Sequence, residues 1–521
     1  MSSESNGLSK SRCRGVGMSV LACLPAMSVL AVVICAWIGL SPWTDINDDA
    51  LITLTYVKSL VAGHGFAFNT SRGVLGTTTP LLALVAAACG RIFHSIPIER
   101  TAILLTVFCW FLVLWIVQLA HSTLRLERWE ACVLGTTLAT HFRFYPGGEV
   151  TLFQLIMLAA IVLYLRERML AAGLATGFLY LTRGEGGLLI PAFLCVAVCA
   201  KPPSDFRKGR ALAGRFLPVV LGFMVVFGAW SLFAEFSFGS IFPHTLKVKM
   251  MQGRGSSAGN LFSSALLAEL PSWDLDLSHL YPRLFVPLWG FAAYGVFYAW
   301  RRRLWFLWVI VVWVSLYIAA YTILQVPAYA GWYRHPVYWA WTYGVGIGLI
   351  GAGRSLLEMR RVTRPCRVGF ACLLLFTILG LRFFAALDLA IGSRGDPRAP
   401  AYHEMCAVIT ARGDSHATVA TGEVGYFGYY LDNPILDLVG IVTPDILPFL
   451  ARRDYEGIDA RYAPKFWVDI RRPYEDASSE KTVGESCFVA GLSRYVPQFG
   501  NVYILYERKE FSEQSERLLP K

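Results

Sequence analysis

Long apolar runs set the pattern of this chain. From Gly17 to Leu40 about 24 residues carry no charge. At about 1.5 Å per residue they cross a ~30 Å hydrocarbon core, and they are too long for the apolar part of a cleaved signal peptide. The preceding segment, with Lys10, Arg12 and Arg14, is therefore placed in the cytoplasm. Further runs at 101–120, 130–145, 150–165, 170–182, 187–200, 213–235, 283–300, 304–325, 335–353 and 368–391 bring the predicted spans to about eleven.

The run 77–95 is also apolar, but it is rich in Ala and Gly, opens with Thr77-Thr78-Thr79-Pro80 and carries Arg91 and His94. If it spanned, Arg166/Arg168, Lys201–Arg215, Arg301–Arg303 and Arg354–Arg367 would all face outward, against the positive-inside rule. It is therefore expected to lie along the surface as an interfacial helix. Segments 41–98, 236–282, 327–334 and everything after about 392 then share the outer side. The pattern divides the chain into a transmembrane domain, 1–394, whose outer loop is 41–98, and an extracytoplasmic domain, 395–521. In the latter, short apolar runs at Ala417–Ala420, Ile435–Val439, Phe488–Ala490 and Val502–Tyr506, separated by Gly, Pro and Asp, predict strands of a small α/β fold.

Composition agrees: 55% of the 521 residues are hydrophobic and 16% charged, far from the soluble norm. The net charge of +11 resides mostly in short clusters between apolar runs, which speaks for topology and against nucleic acid. The twelve cysteines are scattered without a CxxC, which speaks against a zinc site or a disulfide scaffold; Cys406 and Cys487 are the one candidate pair.

Candidate chemistry begins at Asp45-Ile46-Asn47-Asp48-Asp49, just beyond the first span. Adjacent carboxylates at a membrane boundary either perform chemistry or serve the next helix, Asp48 as cap and Asp49 on the dipole. Ile52, Tyr56 and Leu60 predict an amphipathic helix over 50–62, stopped by Gly63 and Gly65 on either side of His64. Ala67-Phe68-Asn69 and Arg72-Gly73 lead from there to the interfacial helix.

This loop resembles the first outer loop of the GT-C superfamily, polytopic glycosyltransferases that take sugars from polyprenyl-phosphate carriers. Within it the loop resembles that of the arabinofuranosyltransferase type that caps mycobacterial arabinan, which reads D-D-A-x-I-T-x-x-Y-x-x-N-L-x-x-G-x-G-x-x-F-N. The match runs through Asp48, Asp49, Ala50, Ile52, Thr53, Tyr56, Leu60, Gly63, Gly65, Phe68 and Asn69. The chain departs where that type has E-G-x-T-S-P and this sequence has Leu75-Gly76-Thr77-Thr78-Thr79-Pro80. Gly148-Glu149-Val150-Thr151 resembles its G-M-E-T, Leu181-Thr182-Arg183-Gly184-Glu185-Gly186 its L-T-R-P-E-G, and Pro243-His244-Thr245 with Lys249 its P-N-T-x-x-x-K. Thr421–Phe427 and Leu436–Gly440 resemble the opening of its outer domain.

The resemblance implies a lipid-linked sugar donor, a glycan, lipid or protein acceptor, a bacterial cytoplasmic membrane and, as catalytic pair, Asp48 and Asp49. A cleft for a lipid phosphate needs cations and one carboxylate base. Arg183, Glu185, Lys247, Lys249, Tyr333 and Arg334 are the candidates on the donor side. Asp45, Tyr56, His64, Asn69, Glu149, His244, Glu423 and Asp437 are candidates for substrate contact. An Asp pair can equally serve as base or as ligand of a divalent metal. Plainer readings stand beside these: Arg183 and Arg334 snorkelling at span ends, Lys247 and Lys249 on a solvated face, Trp332–His335 in an aromatic belt, and turn or strand-end roles for Glu423 and Asp437. Two other functions compete: a secondary transporter, for which no internal repeat is found, and a scaffold displaying the tail domain, which leaves the Asp48–Asn69 loop unexplained.

Overall fold

The computed structural model describes residues 46–68, 73–140, 145–200, 209–254, 285–326, 333–358, 396–471, 488–497 and 500–508. The expected spans at 17–40 and 368–391, and the candidates Asp45, Asn69 and Cys487, lie outside the described residues.

The first described element, α1 (Asp48–Ala62), falls where an amphipathic surface helix is expected, but residues 50–57 are all buried, and its start also differs. Its N-cap is Asn47, whose Oδ1 accepts the Ala50 N–H at 3.0 Å, so Asp48 and Asp49 both belong to the first helical turn. Gly63 ends it in the left-handed conformation, φ 85°, where glycine carries no Cβ penalty. Helix α2 (Pro80–Ile92) starts at Pro80 as expected, with proline in the first turn.

The apolar runs fold as α3 (Ile98–Leu119), α4 (Arg128–Thr140), α5 (Val150–Leu165), α6 (Met169–Thr182), α7 (Leu189–Ala200), α8 (Gly209–Phe238), α10 (Phe285–Arg302), α11 (Trp305–Ile323) and α12 (His335–Glu358), with the short α9 (His244–Arg254) after α8. Among the described residues three helices are long and apolar enough to cross a membrane: Ile98–Leu119, Phe216–Phe238 and Trp305–Ile323. Exposed Phe108, Trp115, Leu217, Leu221, Met224 and Phe236 on such helices suit a lipid surround. Glycine lets two pairs approach backbone to backbone: a Cβ at Gly173 or Gly222 would collide across the α6–α8 seam, and one at Gly295 or Gly348 across the α10–α12 seam.

The described residues between 396 and 508 form a small α/β unit built from α13 (Ala399–Ala411), β1 (Val419–Thr421), α14 (Val424–Tyr430), β2 (Ile435–Asp437), α15 (Leu447–Arg452), α16 (Tyr455–Tyr462), β3 (Phe466–Arg471), β4 (Phe488–Val496) and β5 (Asn501–Arg508). Their sheet has the order β2-β1-β3-β5-β4. Strands β2, β1 and β3 run parallel, and β5 is antiparallel to both β3 and β4. In β5 Tyr503, Leu505 and Glu507 are buried while their neighbours are partly open, the period of two of a strand with one covered face. Leu51, Leu54 and Val57 of α1 share a core with Tyr402, Tyr426, Phe427 and Val442. The α/β unit is thus packed onto the first loop.

Candidate active site

Consecutive residues of a helix point about 100° apart, and this separates the two aspartates of α1. Asp48 turns to the α/β unit: its Oδ1 accepts the Tyr426 N–H at 2.8 Å, at the start of α14. Gly425 leaves room for this contact, since a Cβ there would collide with the Asp48 carbonyl oxygen. Burial raises the Asp48 carboxyl well above its ordinary range; Glu423 and Asp49 add to this, and the Tyr426 N–H and Arg398 oppose it. Glu423 accepts from Arg398 Nη1 at 2.8 Å, and Arg398 Nη2 lies 2.7 Å from Asp396.

Asp49 turns the other way, into a cavity of about 360 Å³. Burial pushes its carboxyl up to about 6, with Lys249 lowering it, Glu149 raising it and Arg398 lowering it. The cavity wall is shared by α1, the 76–80 segment, the α5 and α6 ends, α8, α9, α11 and Tyr333, and Ile441 of the α/β unit completes it.

On the far wall, Arg183 at the end of α6 donates from Nη1 to Glu149 at 2.6 Å and from Nε to Glu185 at 2.5 Å. All three side chains are largely buried, 7, 12 and 6% exposed, where an uncompensated charge is costly. One guanidinium between two carboxylates leaves a net negative group. Trp313, Tyr317 and Tyr321, four residues apart on α11, brace it. Trp313 Nε1 donates to the Glu185 carbonyl at 3.1 Å, Tyr321 OH to Glu185 Oε2 at 3.2 Å, and Tyr317 OH to the Tyr333 carbonyl at 2.7 Å. The Tyr333 ring lies 5.9 Å from the Arg183 guanidinium.

Lys249 of α9 is buried at the same cavity. Helix α9 is fixed to the loop by the His244 N–H donating to the Leu75 carbonyl at 3.1 Å and by Thr245 Oγ1 donating to the Gly76 carbonyl at 2.6 Å. Burial and Lys247 lower the His244 pKa, and Asp445 opposes them.

The cavity therefore gathers Asp49, Glu149, Arg183, Glu185, Lys249 and Tyr333. Lys247 and His64 are exposed, and His64 lies beyond the far end of α1. Arg334 and His244 are half-buried and do not line the cavity. Tyr56 is a brace: its OH donates to the Val74 carbonyl at 2.6 Å and accepts the Gly76 N–H at 2.9 Å. Asp437 is buried at the end of β2 and accepts the N–H groups of Val439 and Val442, each at 2.7 Å. It shapes the turn that carries Ile441. Glu423 lies just beyond the carboxyl end of β1, and Asp437 is the last residue of β2.

Tyr145, Tyr321, Ile441 and the threonines 53, 77 and 79 line the cavity but were not among the sequence candidates. The four-residue aromatic spacing on α11 was the available signal for Tyr321. Among the described residues no three His, Cys, Asp or Glu side chains converge as metal ligands. Glu149 and Glu185 pair with Arg183, and Asp48 Oδ1 accepts from Tyr426.

Residues 394–501 match a family described as a domain of unknown function (DUF8728). Comparison with curated proteins gives no match. Among solved structures, the chain is similar to the oligosaccharyltransferase AglB from Archaeoglobus fulgidus, solved with an inhibitory peptide and a dolichol-phosphate, at 12% identity and a TM-score of 0.55 over 85% of this chain and 69% of that one. It is similar also to ArnT from Cupriavidus metallidurans bound to undecaprenyl phosphate, at 13% identity and a TM-score of 0.56 over 92% of this chain and 97% of that one. At these identities the likeness shows a shared fold with these two proteins.

Proposed function

We propose that this chain transfers a sugar, arabinofuranose by the resemblance of its first loop, from a polyprenyl-phosphate carrier to a glycan, lipid or protein acceptor at the outer face of the cytoplasmic membrane. The observation that carries the reading is that Asp49 and Lys249 line one cavity, within a fold whose solved members include proteins bound to polyprenyl phosphates.

Asp49 is the general base. With a carboxyl near 6 it is ionised at neutral pH yet basic enough to accept a proton, which suits such a role. The acceptor hydroxyl attacks the anomeric carbon, its proton passes to Asp49, and the bond from that carbon to the phosphate oxygen breaks. The electron pair leaves with the phosphate, yielding polyprenyl monophosphate. Lys249 meets the growing negative charge. Arg183 gives Nε and Nη1 to its carboxylates, leaving the Nη2 hydrogens for a phosphate oxygen. Asp48 positions the α/β unit, whose Ile441 turn closes the wall. The test is incubation of the purified protein with a panel of synthetic polyprenyl-phosphate sugars and an envelope acceptor, with carrier release followed by mass spectrometry. Sugar-selective, acceptor-dependent release is expected; the absence of release with every sugar of the panel, from folded protein, refutes the reading.

A further inference from the structure

A threonine inside a helix commonly turns its hydroxyl back onto the carbonyl of the preceding turn. Thr55, Thr106, Thr176 and Thr342 do so at 2.8 to 3.0 Å. Thr53 instead reaches across to Thr77 Oγ1 at 3.0 Å and Thr79 Oγ1 at 2.9 Å. Thr77 and Thr79 are 3.2 Å apart, which closes a triangle of hydroxyls on residues only 5, 2 and 4% exposed.

Each hydroxyl has one hydrogen and two lone pairs. Around the triangle the hydrogens fill the edges and each oxygen accepts once. Thr77 accepts a second time, from the Thr79 N–H at 3.2 Å, and is then full. Thr53 and Thr79 each keep one lone pair. All three residues line the cavity that contains Asp49, so the cluster is a buried acceptor with its own protons already committed.

We propose that this triad is a sugar-hydroxyl subsite, in which Thr53 and Thr79 accept hydrogen bonds from ring hydroxyls of the transferred sugar. The inference rests on the lipid-linked-sugar reading above. A site that can accept but has no spare proton selects a hydroxyl over a ring ether or carbonyl oxygen, and a deoxy sugar leaves it unsatisfied.

The test measures binding of polyprenyl-phosphate arabinofuranose, its monodeoxy analogues and bare polyprenyl phosphate to the full chain. Thr53→Val and Thr79→Val are each expected to weaken the sugar-bearing lipid roughly tenfold, to leave the bare lipid unchanged and to abolish discrimination against one deoxy analogue. Thr53→Ser keeps the hydroxyl and is expected to behave as wild type, which separates hydroxyl loss from misfolding. Valine variants that discriminate like wild type overturn the subsite alone, as does a wild type that binds the bare lipid with no preference for hydroxyls. A wild type that binds neither lipid overturns the polyprenyl-phosphate reading and the subsite with it.

Discussion

The Tyr426 N–H donates to Asp48 Oδ1 at 2.8 Å, joining residues 378 positions apart and tying the start of α14 to the first turn of α1. The neighbouring Asp49 faces the cavity instead. An acidic pair that reads as one motif in sequence is thus divided between a structural bond and an open carboxylate.

Loss of the structural bond is expected to cost stability before chemistry. Asp48→Ala leaves a buried N–H unsatisfied, a loss of about 1–3 kcal/mol. Asp48→Asn keeps an acceptor and is expected to retain most of both stability and transfer. Thermal unfolding in detergent, read beside carrier release, checks the pair.

Gly425→Ala provides an independent test of the same seam. The added Cβ collides with the Asp48 carbonyl, and such overpacking costs about 1–3 kcal/mol. Faster proteolysis of the α/β unit and reduced transfer are expected, although residue 425 does not line the cavity. Unchanged protection would mean that the seam is not as tight as the structure has it.

Arg183→Ala is expected to lose about 3–5 kcal/mol by leaving Glu149 and Glu185 facing each other without their shared cation. Adding Glu149→Gln and Glu185→Gln recovers most of that stability but not transfer. A triple variant as unstable as the single one would show that packing, not charge, supports this wall.

The pH dependence follows from Asp49. Its folded carboxyl, at about 6, lies above the ordinary 3.8, so the folded protein holds the extra proton between those values. The Asp49 contribution to stability therefore falls as pH rises from about 4 to 6 and levels off above, by on the order of 3 kcal/mol. Transfer runs the opposite way, dropping about tenfold per pH unit below 6 as the base is protonated. Asp49→Asn is expected to remove this component of the stability profile, measured as the difference between the wild-type and variant curves.

Much of the helical framework near the site was legible. The 3.6-residue spacing of Ile52, Tyr56 and Leu60, the Gly63 stop and Pro80 locate α1 and α2, because these signals are local. The α/β runs at 417–420, 435–439, 488–490 and 502–506 fall on β1, β2, β4 and β5. Strand β3 was missed because Phe466-Trp467-Val468-Asp469-Ile470 sits between charged and proline-containing stretches rather than in a marked apolar run. Asn47 displaces Asp48 as helix cap because both residue types cap well, and the choice is made by where Tyr426 lies. The threonine triangle and the Ile441 wall depend on contacts between distant segments, and no local spacing encodes those.

The most direct measurement is acceptor-dependent carrier release from a polyprenyl-phosphate sugar at neutral pH by wild type, Asp49→Asn and Asp48→Asn. Loss of at least about a hundredfold in Asp49→Asn, with thermal stability equal to or above wild type and with activity largely kept in Asp48→Asn, is the expected result. Near-wild-type release by Asp49→Asn, or collapse in a stable Asp48→Asn alone, would contradict the assignment of Asp49 as the base.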